Sequence, residues 1–117
     1  MTPLANAIYK LLVRRLRAGA LSITYGDLSA ALPARVATHQ RSRNLHGALC
    51  EVSRACHARQ LPRLPAMVWR ADRKRPGPIY FGEAHPRLRS VEAQRAAWEL
   101  EHAAVVAAAA RYPAALS

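Results

Sequence analysis

The amino-acid sequence predicts a mainly α-helical fold with one small β-hairpin and an additional helix near the carboxyl end. Several segments place apolar residues at helical spacing behind a capping Ser or Thr, which is the pattern of amphipathic helices. Two short runs of β-prone residues flank a turn that contains Pro and Gly, as expected of a hairpin. The chain has 117 residues, 51% of them hydrophobic, so it is long enough to form one domain around an apolar core.

The first two helices are predicted from their start and stop signals. Thr2 can cap the first helix, which should continue until Gly19 ends the apolar pattern. A short extended piece at 21–23 follows, and Thr24 can cap a second helix over about 25–32. The apolar side of the first helix contains Leu4, Ile8, Leu11, Leu12 and Leu16.

The third helix is predicted from its cap, Ser42, to about Arg59, ahead of two prolines. On a helical wheel one narrow stripe is apolar and should be buried. That stripe consists of Leu45, Leu49, Val52 and Cys56. The opposite side is cationic and contains no acid, and it carries Arg43, His46, Gly47, Cys50, Arg54 and His57.

The hairpin and the final helix complete the predicted elements. Residues 66–70 are predicted to form a strand, 72–77 a turn rich in basic residues, and 78–81 the returning strand. A final helix is predicted over about 90–112. Its packing face should include Val91, Trp98 and Val105.

This order of elements is that of a winged helix-turn-helix. We therefore expect residues 1–117 to form a single domain of this kind, with its core at 3–82 and the added helix at about 90–112. In such a domain the third helix enters the major groove of DNA, and the hairpin flanks it on the backbone.

Positive charge is concentrated in one part of the chain. The formal net charge is +11. Residues 1–75 contain fourteen Lys and Arg against three acids, whereas 76–117 carry four of each sign. One strongly cationic portion predicts a polyanionic partner, and the phosphate backbone of nucleic acid is the usual one.

Two segments resemble a known DNA-binding family. Residues 23–32 read Ile-Thr-Tyr-Gly-Asp-Leu-Ser-Ala-Ala-Leu, and residues 43–49 read Arg-Asn-Leu-His-Gly-Ala-Leu. In this order they resemble the Thr-Tyr-Gly motif and the recognition helix of the O6-alkylguanine-DNA alkyltransferases and alkyltransferase-like proteins. Residues 77–82 are loosely similar to a later glycine-containing segment of that family. The resemblance covers about 21–82 and implies a winged-helix DNA-binding domain.

The resemblance also implies roles for single residues. Tyr25 would help to rotate a target nucleotide out of the duplex, and Arg43 would fill the gap left in the stack, as a planar guanidinium can. The family's Pro-Cys-His-Arg acceptor motif is absent, because residues 65–70 read Pro-Ala-Met-Val-Trp-Arg. Without an acceptor cysteine, alkyl transfer is excluded, and we expect no enzymatic activity.

Other chemistry finds little support in the sequence. His46, Cys50 and His57 share a helical stripe, but zinc normally needs four ligands, so we expect no metal and no cofactor. The acids are too scattered for a Mg²⁺-dependent nuclease. Cys50 and Cys56 would lie about 120° apart on one helix, so no disulfide is expected, and free thiols suit a reducing compartment. With no signal peptide or membrane span evident, we expect a cytoplasmic location and no membrane association.

The sequence therefore predicts a non-enzymatic protein that binds duplex DNA, with RNA left open as the nucleic acid. The alternative is a small protein-interaction module or inhibitor, for example one encoded by a phage or mobile element, which docks on an acidic protein or a nucleic-acid-processing complex. The alanine-rich final helix could also supply a homodimer face. The predicted nucleic-acid-binding residues are Tyr25, Arg41, Arg43, His46, Gly47, Arg54, His57, Arg70, Arg73, Lys74 and Arg75.

Overall fold

A computed structural model describes residues 1–116 of the chain and shows a mainly helical protein with one two-stranded parallel sheet. Short 3₁₀ turns lie at Ala34–Val36, Leu64–Met67 and Ala109–Arg111. The helices and strands, in chain order, are α1 (Pro3–Arg17), β1 (Ile23–Thr24), α2 (Tyr25–Ala31), α3 (Arg43–Ala58), β2 (Val68–Trp69), α4 (Pro78–Ala84) and α5 (Val91–Ala107).

Side-chain caps set where the helices begin. The hydroxyl of Thr2 accepts a hydrogen bond from the amide of Ala5, and Thr24 does the same for Asp27. Ser42 caps α3 through the amide of Asn44. These hydrogen bonds satisfy amides that have no partner inside the helix. The predicted starts of the first three helices are therefore confirmed.

The core lies where α1 packs against α3. The predicted apolar stripe of α3 is confirmed, because Leu45, Leu49, Val52 and Cys56 are all buried. The carboxyl-terminal segment closes one side of this core. There the hydroxyl of Tyr112 donates to the carbonyl of Pro62 over 2.6 Å.

The predicted hairpin is wrong in its second half. Within 66–70 only Val68–Trp69 forms a strand, and it pairs in parallel with Ile23–Thr24. Residues 78–81, predicted as the returning strand, begin α4 instead. Proline is favoured in the first turn of a helix. Tyr80 and Phe81 are both buried, whereas successive residues of a hairpin strand with one buried face would alternate between buried and exposed.

A tight reversal takes the place of the hairpin. The amide of Arg70 donates to the carbonyl of Arg75 over 2.8 Å, and the two residues form an isolated antiparallel bridge. Lys74 has φ of 53°, the left-handed conformation common in tight turns. We call residues 70–75 the basic turn.

The final helix is shorter than predicted. It ends at Ala107, and the residues before Tyr112 form a 3₁₀ turn. Trp98 and Val105 are buried as predicted, but Val91 is 58% exposed. Val91 is the first residue of α5, before the helix reaches its contact with the 3₁₀ turn at 64–67.

Within the described residues no helix combines the length and the apolar character that a membrane span needs.

Candidate nucleic-acid interface

A cavity of about 750 Å³ opens at the carboxyl ends of the two parallel strands. The register pairs Thr24 with Trp69, so Tyr25 and Arg70, the residues that follow, emerge at the same edge of the sheet. The carboxyl ends of parallel strands are common ligand sites because side chains from several loops converge there. The wall is formed by residues 24–26, 40–41, 70–72 and 77–79 together with His46.

Tyr25 joins three parts of this wall. Its hydroxyl accepts a hydrogen bond from the amide of Gly77 over 3.0 Å. Its ring lies 5.3 Å from the ring of His46, measured between centroids. Burial raises the pKa of Tyr25 above its usual value, although the hydrogen bond from Gly77 opposes this effect. The hydroxyl therefore stays neutral at physiological pH.

Arg70 faces the cavity but is already bound by the chain's own carboxylate. Its Nε donates to Oδ1 of Asp72 over 3.2 Å, and its Nη2 donates to Oδ2 over 3.1 Å. This two-point pairing fixes the plane of the guanidinium. Asp72 also lines the cavity, so it offsets the charge of Arg70 where an anion would enter.

The other predicted cations of these segments have no carboxylate partner within residues 1–116, and of them Arg41 alone lines the cavity. Arg41 lies on the cavity wall and is exposed. Arg43 is exposed in the first turn of α3, while Arg73 and Lys74 are exposed on the basic turn and Arg75 is half-buried. Cations without an internal partner are the ones available to phosphate groups. These residues therefore form the strongest candidate anion-binding surface.

Gly47 leaves an open surface on α3 next to this group. A Cβ atom built at Gly47 would meet nothing within 4 Å. The glycine is therefore not required by packing inside the protein. Gly47 is exposed on this side of α3.

Two predicted site residues lie away from the cavity. Arg54 and His57 are in the second half of α3, roughly 16 Å and 21 Å from Arg43 along the helix axis at 1.5 Å per residue. Arg54 donates to Glu83 of α4 over 3.0 Å. A carboxylate from another helix therefore offsets the charge of Arg54 on the side of α3 that is predicted to be cationic.

Some residues of the cavity were not predicted as site residues. Gln40 lies beside Arg41 on the loop before α3, and Ile79 stands 47% exposed at the cavity wall. From the sequence, Asp72 and Gly77 are expected only to form part of a turn. The Gly77-Pro78 pair is a helix start signal, and it could have indicated that 78–81 turns as a helix beside the cavity.

The two cysteines have raised pKa values, and the metal-ligating residue types are dispersed in the described part of the chain. Burial raises the pKa of Cys50 and raises that of Cys56 to about 11. Within residues 1–116 no three His, Cys, Asp or Glu side chains are grouped so that they could hold a metal ion. What the arrangement offers chemically is hydrogen-bond donors, aromatic rings and unpaired cations.

Comparisons with protein-family models, with curated proteins and with solved structures found no match for this chain.

Proposed function

We propose that this chain binds duplex DNA without carrying out chemistry on it. In this arrangement α2 and α3 act as a helix-turn-helix, and the basic turn takes the place of a wing. The observation that carries the proposal is that two segments which contribute to the wall of one cavity also carry exposed cations without a carboxylate partner in the described part of the chain. Arg41 is on the wall itself, Arg43 follows it in the first turn of α3, and Arg73 and Lys74 directly follow the wall residues 70–72.

The cations are suited to phosphate contact. Arg41, Arg43, Arg73 and Lys74 are exposed and have no carboxylate partner within the described part of the chain. Each phosphate that a protein cation neutralises releases condensed counterions, which makes binding strongly dependent on salt. If these four residues contact phosphates, a fourfold rise in salt should weaken binding on the order of 100-fold.

The cavity is proposed to hold a single nucleotide of the bound DNA, in addition to the contacts with the DNA backbone. Its volume of about 750 Å³ falls within the range of small-molecule sites. The rings of Tyr25 and His46 provide aromatic surface on its wall, and Arg41 and Gln40 provide hydrogen-bond donors. The resemblance to the alkyltransferases implies a nucleotide rotated out of the duplex at this place, with Arg43 in the stack.

A fluorescence anisotropy titration tests the proposal. The probes are a duplex, the same duplex with one unpaired nucleotide, a single strand and an RNA duplex, each at 50 and 200 mM salt. We expect binding to both DNA duplexes, tighter binding to the one with the unpaired nucleotide, and a steep loss of affinity at the higher salt.

Variants assign the binding to this surface. Arg43→Ala and the pair Arg73→Ala and Lys74→Ala should each weaken binding about tenfold. Arg111→Ala, which removes a charge that is also exposed but lies beyond α5, is the matched control and should change affinity less than twofold. No binding to any probe at 50 mM salt, or an equal loss in the Arg111→Ala control, would refute the proposal.

A second candidate function, protein interaction, is favoured by the outer face of α5. Leu100 is 76% exposed, and Ala96, Ala103 and Ala107 beside it are exposed as well. Small residues let a second helix approach closely, and residues 76–117, which include α5, carry no net charge. The first partner to test is a second copy of the chain. Sedimentation equilibrium should then show a dimer that Leu100→Glu dissociates. A monomer at every concentration would exclude this homodimer.

A further inference from the structure

We infer that Tyr25 is a positioning residue, which holds the basic turn in the place where its cations meet phosphate. The inference rests on the proposed function. It assigns the hydroxyl of Tyr25 to the amide of Gly77, two residues after the basic turn, rather than to a nucleotide.

The hydrogen bond from Gly77 is the first piece of evidence. The amide of Gly77 is buried and donates to the Tyr25 hydroxyl over 3.0 Å. The other side-chain hydrogen bonds of residues 70–77 join Arg70 to Asp72 within the turn itself. Among side-chain hydrogen bonds in the described part of the chain, the one to Tyr25 alone ties this segment to another element.

The far side of Tyr25 provides the second piece of evidence. Tyr25 is the first residue of α2, and its ring packs against His46 in the first turn of α3. One side chain therefore links α2 and α3 to Gly77, which follows the basic turn. Tyr25 contacts both the helix that carries Arg43 and the segment that follows Lys74. The distance between these two cations therefore depends on the Tyr25 side chain.

Loss of the hydroxyl has a defined consequence. In Tyr25→Phe the ring can still pack against His46, but the buried amide of Gly77 loses its acceptor. A buried amide without a partner is costly, so the segment must shift or admit water. Arg73 and Lys74 would then sample several positions, and each would contribute less to binding.

A double-mutant cycle on the full chain measures this effect. The four proteins are wild type, Tyr25→Phe, Arg73→Ala with Lys74→Ala, and the triple variant, each titrated with duplex DNA at 100 mM salt. We expect Tyr25→Phe to weaken binding about 3- to 10-fold. We also expect removal of the turn cations to weaken binding by a smaller factor in the Phe background than in wild type.

Tyr9→Phe is the matched control. Its hydroxyl also forms a hydrogen bond with the backbone, in this case as a donor to the carbonyl of Pro113, but Tyr9 is not part of the cavity wall. This variant should bind DNA as wild type does. If Tyr9→Phe loses as much DNA affinity as Tyr25→Phe, the effect is general destabilisation and the inference is overturned.

Amide hydrogen exchange gives a readout that does not depend on DNA. The Gly77 amide should be protected in wild type and in Tyr9→Phe and should exchange at least tenfold faster in Tyr25→Phe. The inference is overturned if exchange at Gly77 is unchanged. It is also overturned if removal of the turn cations weakens DNA binding as much in the Phe background as in wild type. If wild type binds no DNA, the proposed function fails, and with it the binding role of Tyr25. If wild type binds but the cycle is additive, the inference alone fails.

Discussion

Arg54 of α3 donates a hydrogen bond to Glu83 of α4 across 3.0 Å. The arginine side chain is 62% exposed and the glutamate side chain 23% exposed, so the pair lies at the surface and joins two helices there. A surface ion pair of this kind contributes little stability. The pair is important because Glu83 compensates the positive charge of Arg54 on the cationic side of α3.

Replacement of Arg54 should therefore have little effect on DNA binding. We expect Arg54→Ala to weaken binding by less than twofold, because the charge is already compensated by Glu83. Arg43→Ala should weaken it about tenfold and lower the slope of log affinity against log salt by about 1, as expected for one lost phosphate contact. Salt titrations of both variants check this. A larger loss in Arg54→Ala than in Arg43→Ala would move the binding surface to the other end of α3.

Removal of the carboxylate at Asp72 should strengthen binding. Asp72 holds Arg70 at two points and lines the cavity, so it opposes an incoming phosphate and occupies a cation. We expect Asp72→Asn to increase affinity for duplex DNA about 3- to 10-fold at 100 mM salt, since one phosphate contact becomes available.

A matched control separates this local effect from the gain in net charge. Glu99 of α5 is likewise paired with an arginine, Arg95, over 3.3 Å. Glu99→Gln changes the net charge by the same amount away from the cavity and should alter affinity less than twofold. Equal gains in both variants would show that only the overall charge matters.

The helices could be predicted because their signals are local. Thr2, Thr24 and Ser42 act within three residues of their own position in the sequence, and the burial of Leu45 and Val52 follows from a period that one helix sets by itself. For the same reason the cationic character of the opposite side could be recognised.

The site could be predicted only in part because its decisive contacts are long-range. The pairing of Ile23 with Val68 joins strands that are 45 residues apart, and Arg54 meets a glutamate 29 residues further along the chain. No local pattern carries that information. At 78–81 two local signals disagreed, since Ile, Tyr and Phe favour strands while Pro78 favours a helix start, and burial of Tyr80 decided for the helix.

The stability of the fold should fall in mild acid because of His85. Its Nε2 is buried without a hydrogen-bond partner and lies 3.9 Å from a carboxylate oxygen of Glu101. Burial lowers the pKa of His85; Glu101 opposes this effect and Arg63 adds to it. Below the usual histidine pKa of about 6.5 the unfolded chain takes up a proton that the folded chain resists. The free energy of unfolding should therefore decrease as the pH falls from 7.5 to 5.5.

Urea unfolding at pH 7.5, 6.5 and 5.5 measures this dependence. His85→Gln should show a smaller decrease over that range than wild type, because glutamine does not titrate. His57→Gln, at an exposed position on α3, should keep the decrease of wild type. If His85→Gln and wild type lose the same stability, another group accounts for the acid sensitivity.

The thiol of Cys56 should be unreactive in the folded protein. Cys56 is fully buried in the core and its pKa is raised to about 11, chiefly by burial. At pH 8 its thiolate fraction is therefore about one in a thousand, and the thiolate is the form that reacts with alkylating reagents. The half-buried Cys50, whose pKa is also raised, should react first. Mass spectrometry after treatment with iodoacetamide should show one slow modification, at Cys50, in native protein and two rapid ones in 6 M guanidinium. Rapid modification of Cys56 under native conditions would mean that α3 separates from α1 far more often than their packing allows.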